Sequence, residues 1–466
     1  MSEGEQTLRR IDWSECFAFT RLFRAFRIAV QPTKLGLALC GIIATFLIGQ
    51  VLDGVSMSRN RPAAILDASG QVLQSELDVF IAATNGDRTA ATSQWIKSLG
   101  KPEDVRRVGV FSLLTREARA LASASTDALL AADCPRVIAA ASAALLTKAW
   151  LIRMHPLYAL LLTAAALAIW GLFGGAICRA AALQAARDEV VGPRDAIAFA
   201  RNRFWSFFFA PILPSLIILV AGALLWLGGW IGAIPAVGDI AVGLLFFLAL
   251  IAGFGMAFVF IGAVAGGALM FPTIAAEGSD SGDALARSFS YVYGRPWRTG
   301  FYYVVSLAYG MLCFLFVKWV ARIMLVLVHL FVGASMNFGS AVVTTESGAA
   351  RSAPDKLNAI WQAPTLTPDT PFWGGFNHTN LAGTSWLAQV FIKGWIYLVA
   401  GLVAAFIVSF AYSASTLIYF LLRREVDATD LEDVYIEDYD AESTAPAPSP
   451  DAPPDSGDTS LPVVGQ

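Results

Sequence analysis

Residues 240–271 read IAVGLLFFLALIAGFGMAFVFIGAVAGGALMF, an unbroken apolar run without one charged side chain. A bilayer's hydrocarbon core is roughly 30 Å thick and takes about 20 apolar residues to cross as a helix, with every backbone amide satisfied inside the helix. The run exceeds that need. Tilt and the close packing or kinking tolerated at Gly253, Gly255, Gly262, Gly266 and Gly267 absorb the excess, so it reads as one element.

Working outward, the segments 35–52, 156–178, 205–230, 300–321 and 394–421 meet the same criterion. Composition agrees, with 56% hydrophobic and 15% charged residues and a mean hydropathy of +0.60. The expectation is an all-α membrane protein of about six transmembrane helices. None of the six has an Asp or Glu in its apolar interior, which argues against a proton-coupled path. Lys318 and Arg322, one turn apart near the end of the fifth span, read as snorkelling residues. Two shorter runs, 137–152 and 323–334, are expected to be interfacial or re-entrant; either one crossing alone would reverse the sidedness of everything after it.

Basic residues in short loops stay on the cytoplasmic side. Residues 1–34 carry six, 179–203 carry five, 272–299 carry three, and Arg423 and Arg424 close the last span, whereas 231–239 has none. Both termini are therefore expected in the cytoplasm, in a cell membrane of the bacterial cytoplasmic type. The N-terminal region is too long for a signal-peptide n-region and reads as leading into an uncleaved span. The resulting division is a cytoplasmic amphipathic segment 1–34, the span 35–52, an extracytoplasmic helical loop domain 53–155, a core 156–321, an extracytoplasmic Trp-rich loop 322–393, the span 394–421 and a tail 422–466. In the first segment Cys16, Phe19, Phe23, Phe26 and Val30 fall at helical spacing beside Arg21, Arg24 and Arg27, the pattern of a helix lying on the inner leaflet.

The net charge of −3 hides an asymmetry: no Lys or Arg follows Arg424, while twelve Asp and Glu lie between Glu425 and Gln466. That composition cannot bury enough apolar area to offset chain entropy, so a disordered tail reaching a cytoplasmic protein partner is expected. Val434, Tyr435, Ile436 and Tyr439 are the apolar cluster among the acids, and are the residues that would dock if the tail docked. Neither half is basic enough to suggest nucleic acid. The cysteines make no disulfide framework, His155, His329 and His378 are isolated from further ligands, and no cofactor or metal site follows. Asn377-His378-Thr379 fits a glycosylation sequon, a pattern common by chance. Pairs such as Gly171/Gly175, Gly228/Gly232 and Gly262/Gly266 read as close helix packing.

One internal similarity stands out. Glu189 followed by Asp195-Ala196-Ile197-Ala198 recurs 88 positions later as Glu277 followed by Asp283-Ala284-Leu285-Ala286. Each copy follows an apolar span and precedes an aromatic-rich one, predicting a parallel internal helix-elbow-helix repeat with Asp195 and Asp283 in the first turns of short elbow helices, where a carboxylate complements the helix dipole. The stretch Phe271-Pro272 through Glu277-Gly278 to Asp283-Ala284-Leu285 and Ser288 resembles the membrane region of glycerophosphodiesterase-type proteins and of related bacterial multi-pass proteins. The resemblance covers about two spans and one elbow and implies membrane architecture; the His-plus-carboxylate constellation of phosphodiester hydrolysis does not accompany it. The function expected is a non-enzymatic scaffold or assembly factor, with a transporter or lipid-handling protein as the alternative.

Overall fold

The computed structural model describes residues 18–58, 63–66, 72–84, 106–233, 238–336, 343–344, 350–351, 356–364, 371–376, 384–430 and 432–435. After a 3-10 turn at Ala18–Phe23 the helices are α1 (Arg24–Ala29), α2 (Pro32–Ser58), α3 (Glu76–Thr84), α4 (Val110–Leu130), α5 (Cys134–Met154), α6 (Pro156–Arg187), α7 (Pro193–Asn202), α8 (Phe204–Phe209), α9 (Leu213–Gly229), α10 (Gly238–Glu277), α11 (Ser281–Gly294), α12 (Pro296–Met336), α13 (Lys356–Ile360) and α14 (Thr384–Val426). A small antiparallel sheet joins Ala64–Leu66 to Val72–Ser75 and Arg106–Val108, and short two-stranded ladders lie between α12 and α14. The chain is an all-α membrane protein: six helices are long and apolar enough to span a bilayer, namely α2, α5, α6, α10, α12 and α14.

That set differs from the sequence expectation at two places. The third expected span, 205–230, is broken into α8, a turn and the 17-residue α9. A proline at the start of α9, Pro214, suits a first helical turn and marks the restart. The segment 137–152 forms the 21-residue helix α5, which meets the length and hydropathy criteria.

Side-by-side pairing shows which ends lie together. At one end of α2, Lys34 Nζ donates to Gln184 of α6 (2.5 Å); at the other, Asp53 accepts from Tyr158 Oη of α6 (2.9 Å). These helices are therefore antiparallel, and 53 and 158 share one face. Asp53 also accepts from the amides of Phe111 (2.7 Å) and Ser112 (2.9 Å), satisfying two orphan donors at the start of α4. From there α4 runs out, turns through Ala132 at φ 52°, and α5 returns to His155, whose Nε2 lies 2.9 Å from Glu76. The α4–α5 hairpin leaves and rejoins the same face, so α5 does not reverse the sidedness of the later helices.

The run 323–334 is no separate element. It continues α12, which at 41 residues is about 60 Å long at 1.5 Å per residue, and α14 has 43. Both exceed a bilayer, so the expected boundary at 321/322 falls inside α12 and Trp386 belongs to α14 rather than to a loop. Beyond the span Trp361 and Phe372 pack against Leu325 and Ile396, Trp361 Nε1 donates to the carbonyl of Trp373 (2.9 Å), and His329 Nε2 lies 3.1 Å from the carbonyl of Trp361. This aromatic cap agrees with an anchored loop; Asn377 and His378 lie outside the described residues.

The N-terminal segment departs from a helix on a leaflet surface. Leu22, Ala25, Ile28 and Ala29 are buried in the bundle, Phe26 meets Phe316 and Phe406 edge-on, Phe23 meets Tyr309, and Ser409 Oγ donates to the carbonyl of Ala29 (2.8 Å). An apolar stripe is indifferent to whether lipid or protein covers it, and here α12 and α14 present rings that pair with its phenylalanines. Cys16 lies outside the described residues.

Single cysteines introduced into a cysteine-free background at 120 and 362 should react with an impermeant maleimide from one side of sealed vesicles, and those at 190 and 280 from the other. Labelling of 120 together with 190 would show that α4 or α5 changes sides.

Candidate functional site

Polar chemistry concentrates at the face where α6 and α10 end, α7 and α11 turn, and α14 leaves the bundle. A helix that stops leaves its last carbonyls without intrahelical donors. At the end of α10 the carbonyl of Ala275 accepts from Arg179 of α6 (3.0 Å), and that of Ala276 accepts from the backbone N–H of Tyr435 (2.9 Å). Arg179 is buried, lies over the ring of Phe199 in α7 (4.3 Å to the centroid), and donates to the carbonyl of Tyr435 (2.8 Å). A cation at a helix C-terminus is also favoured by the dipole. One arginine from α6 thus ties together α10, an elbow and the segment after α14.

Glu277, the final residue of α10, is the hub beside it. Its side chain is 8% exposed; Arg287 of α11 grips both carboxylate oxygens (3.0 and 2.9 Å), Tyr419 Oη of α14 donates to it (2.5 Å), and Arg423 lies 3.5 Å away. Arg423 in turn donates to the carbonyl of Asp433 (2.6 Å) and faces its carboxylate (3.3 Å). Two further links pin α14: Tyr291 Oη of α11 donates to Asp427 (2.5 Å), and Glu425 receives Tyr302 Oη (2.5 Å) and Arg298 (2.8 Å). Burial, followed by the adjacent Asp427 carboxylate, pushes the Tyr291 phenol above its ordinary pKa, so it stays a donor at any physiological pH. On the exposed flank Arg24 and Arg27 reach Asp188 (2.6 and 3.3 Å), pairs that contribute little in water.

The four carboxylates singled out in the sequence fare differently. Asp195 and Asp283 each stand in the first turn of a short helix and are exposed, while the adjacent Ala196 and Ala284 are fully buried. The side chain that caps α11, however, is Asp280, which accepts from the amide of Asp283 (2.8 Å), whereas Gly192 occupies the cap position of α7 and offers none. Glu189 and Glu277 are not brought into equivalent places. The ends of α6 and α10, Arg187 and Glu277, lie 90 positions apart, but the starts of α7 and α11 lie 88 apart. The connection before α11 is therefore shorter by two, which keeps Glu277 on the helix and leaves Glu189 beyond it in solvent. The chain after α7 forms the broken α8–α9, and the chain after α11 the unbroken α12.

Arg179, Arg287, Tyr291, Tyr419 and Arg423 were not legible as a group. Arg423 and Arg424 stand out in sequence only as basic residues closing a span, and what links Arg423 to Glu277 is the packing of α14 on α10. Among the described residues no three His, Cys, Asp or Glu stand together as metal ligands. Glu277, Glu425, Asp427 and Asp433 are engaged by guanidinium and phenol groups, an arrangement suited to holding helix ends in place. No protein-family model, no curated protein and no solved structure matches the chain.

Removing one partner of a buried ionic cluster leaves the others uncompensated, on the order of 3 kcal/mol. Glu277→Ala should lower the apparent thermal midpoint in detergent by several degrees, with Glu277→Gln intermediate, while Glu189→Ala should change it by less than the scatter of repeat measurements. Equal effects of the two alanine substitutions would mean that Glu277 is not the hub.

Proposed function

We propose that the chain is a non-enzymatic scaffold or assembly factor of a cell membrane, its elbow face cytoplasmic, presenting the acidic residues 436–466 to a cytoplasmic protein partner. The observation that carries this reading is the anchoring of the preceding residues: Tyr435 is held by Ala276 and Arg179, and Asp433 by Arg423, so the acidic segment departs from a fixed point over the elbows. A segment of that composition has no core of its own and gains order by meeting a basic or aromatic surface. Sidedness is supported by charge, because Arg187, Arg194, Arg201, Arg203, Arg287 and Arg298 all belong to the elbow face. In this reading the resemblance of 271–288 to glycerophosphodiesterase-type membrane regions concerns how helices turn, and hydrolysis plays no part.

A lipid-handling reading is favoured by one other feature. Between α9 and α10 lies an apolar groove of about 550 Å³, lined by Leu224, Gly228, Val242, Leu245 and Ala249 among others. Its lining is aliphatic and aromatic side chains with glycine and alanine, which suits an acyl chain.

Affinity purification in mild detergent separates the two. A stoichiometric protein partner lost on deletion of 436–466 supports the scaffold; absence of any partner, together with a lipid retained by the intact chain and lost on Gly228→Leu, would replace it with lipid handling.

A further inference from the structure

Residues 432–435 are more than a lead-in to the acidic segment. Leaving α14, the chain reverses at Ala428, a non-glycine residue at φ 53°, and comes back over the end of α10. There it is read in three ways at once. Its backbone is held by the carbonyl of Ala276, completing a hydrogen bond that the end of α10 leaves open, and by the guanidinium of Arg179. Its acid, Asp433, is taken by Arg423 through both carbonyl and carboxylate. Its side chains join two separate parts of the core: Val434, 5% exposed, belongs to the cluster that includes Leu183 and Leu417, and Tyr435 packs against the cluster that includes Ile274 and Ala275. Arg203, between α7 and α8, stands 5.4 Å from the Tyr435 ring centroid and 3.4 Å from its hydroxyl. The floor is shaped for that ring. Gly278 has φ 63°, and a Cβ there would come within 2.8 Å of the tyrosine.

Backbone pairing, an acid clamp and an aromatic seat are the elements by which proteins recognise short peptides. We propose that the cleft formed by α6, α7, the end of α10 and the Arg423 end of α14 is a peptide-binding site for an Asp-x-Tyr segment, occupied by this chain's own Asp433-Val434-Tyr435 as a built-in ligand. The left-handed turn at Ala428 disfavours this path locally, so the segment stays seated because its contacts outweigh the strain. Its short tether holds it at an effective concentration on the order of millimolar, which a free peptide must overcome. The site goes beyond the scaffold reading and stands whether or not residues 436–466 have a partner.

The test uses the full chain in mild detergent and two fluorescent nonapeptides: the sequence of residues 430–438, DLEDVYIED, and the same peptide with alanine in place of its aspartate and tyrosine at 433 and 435. In the variant Asp433→Ala/Tyr435→Ala the cleft is vacated. The native peptide should bind this variant at least about tenfold more tightly than it binds the wild type, whose tethered segment competes, and at least about tenfold more tightly than the alanine peptide does. As a second measurement that alters no contact residue, a protease site inserted into the exposed turn at 427–430 severs the segment. The released fragment should co-elute with the membrane core until excess native peptide, and not alanine peptide, displaces it. Equal binding of the two peptides, no binding to the vacated variant, or loss of the severed fragment without competitor would each overturn the proposal. Partner capture through 436–466 is scored separately, by the deletion that leaves Tyr435 in place.

Discussion

The elbow face depends on how α10 ends. Inside lipid a helix satisfies its own backbone, but at its last turn the carbonyls of Ala275 and Ala276 have no amide ahead of them. They are met by the guanidinium of Arg179 and the N–H of Tyr435, which come from chain positions 256 apart. Once those bonds are set, α6 is fixed against α10, and the strand of chain after α14 is fixed against both. Glu277, one residue further, is placed between Arg287 and Arg423, drawing α11 and α14 into the same layer.

The energetics of that layer favour positioning over bulk stability. Taking the Glu277 carboxylate and the Arg423 guanidinium away from water offsets much of their mutual attraction, and an apolar replacement of that pair would lose little. What the cluster supplies is register. Apolar faces such as Leu269 against Leu417 slide with small penalties, whereas a carboxylate that must meet a phenol, a bidentate guanidinium and a second cation admits one arrangement.

Much of this architecture was legible because lipid leaves few choices: long apolar runs become helices, and Asp-Ala-apolar-Ala after a glycine or proline becomes an elbow. What sequence hid were matters of termination and partnership. Hydropathy reports where a helix suits lipid and not where it stops, so 323–334 looked like a separate piece while the backbone simply continues from Pro296 to Met336. Periodicity in residues 18–30 showed an apolar stripe without showing that Phe316 and Phe406 cover it. Glu189 and Glu277 share residue type and spacing to the following aspartate, yet a connection shorter by two residues buries one and exposes the other. The pairing of Tyr435 with Arg179 has no local signature, although Val434 and Tyr435 were visible as apolar residues among acids.

The helices α12 and α14 carry a mechanical implication. Each runs for more than 40 residues from the aromatic cap around Trp361 to the face bearing Glu425 and Asp427, and neither has an internal proline. A rod of about 60 Å pivoting at its middle by about 5° moves each tip by about 2.6 Å, in opposite directions. The charged contacts of Tyr302 and Tyr291 with α14 span 2.5 Å. Movement of that size is enough to part them, so a load on the tryptophan cap is felt, undiminished and reversed in direction, across the full thickness of the membrane.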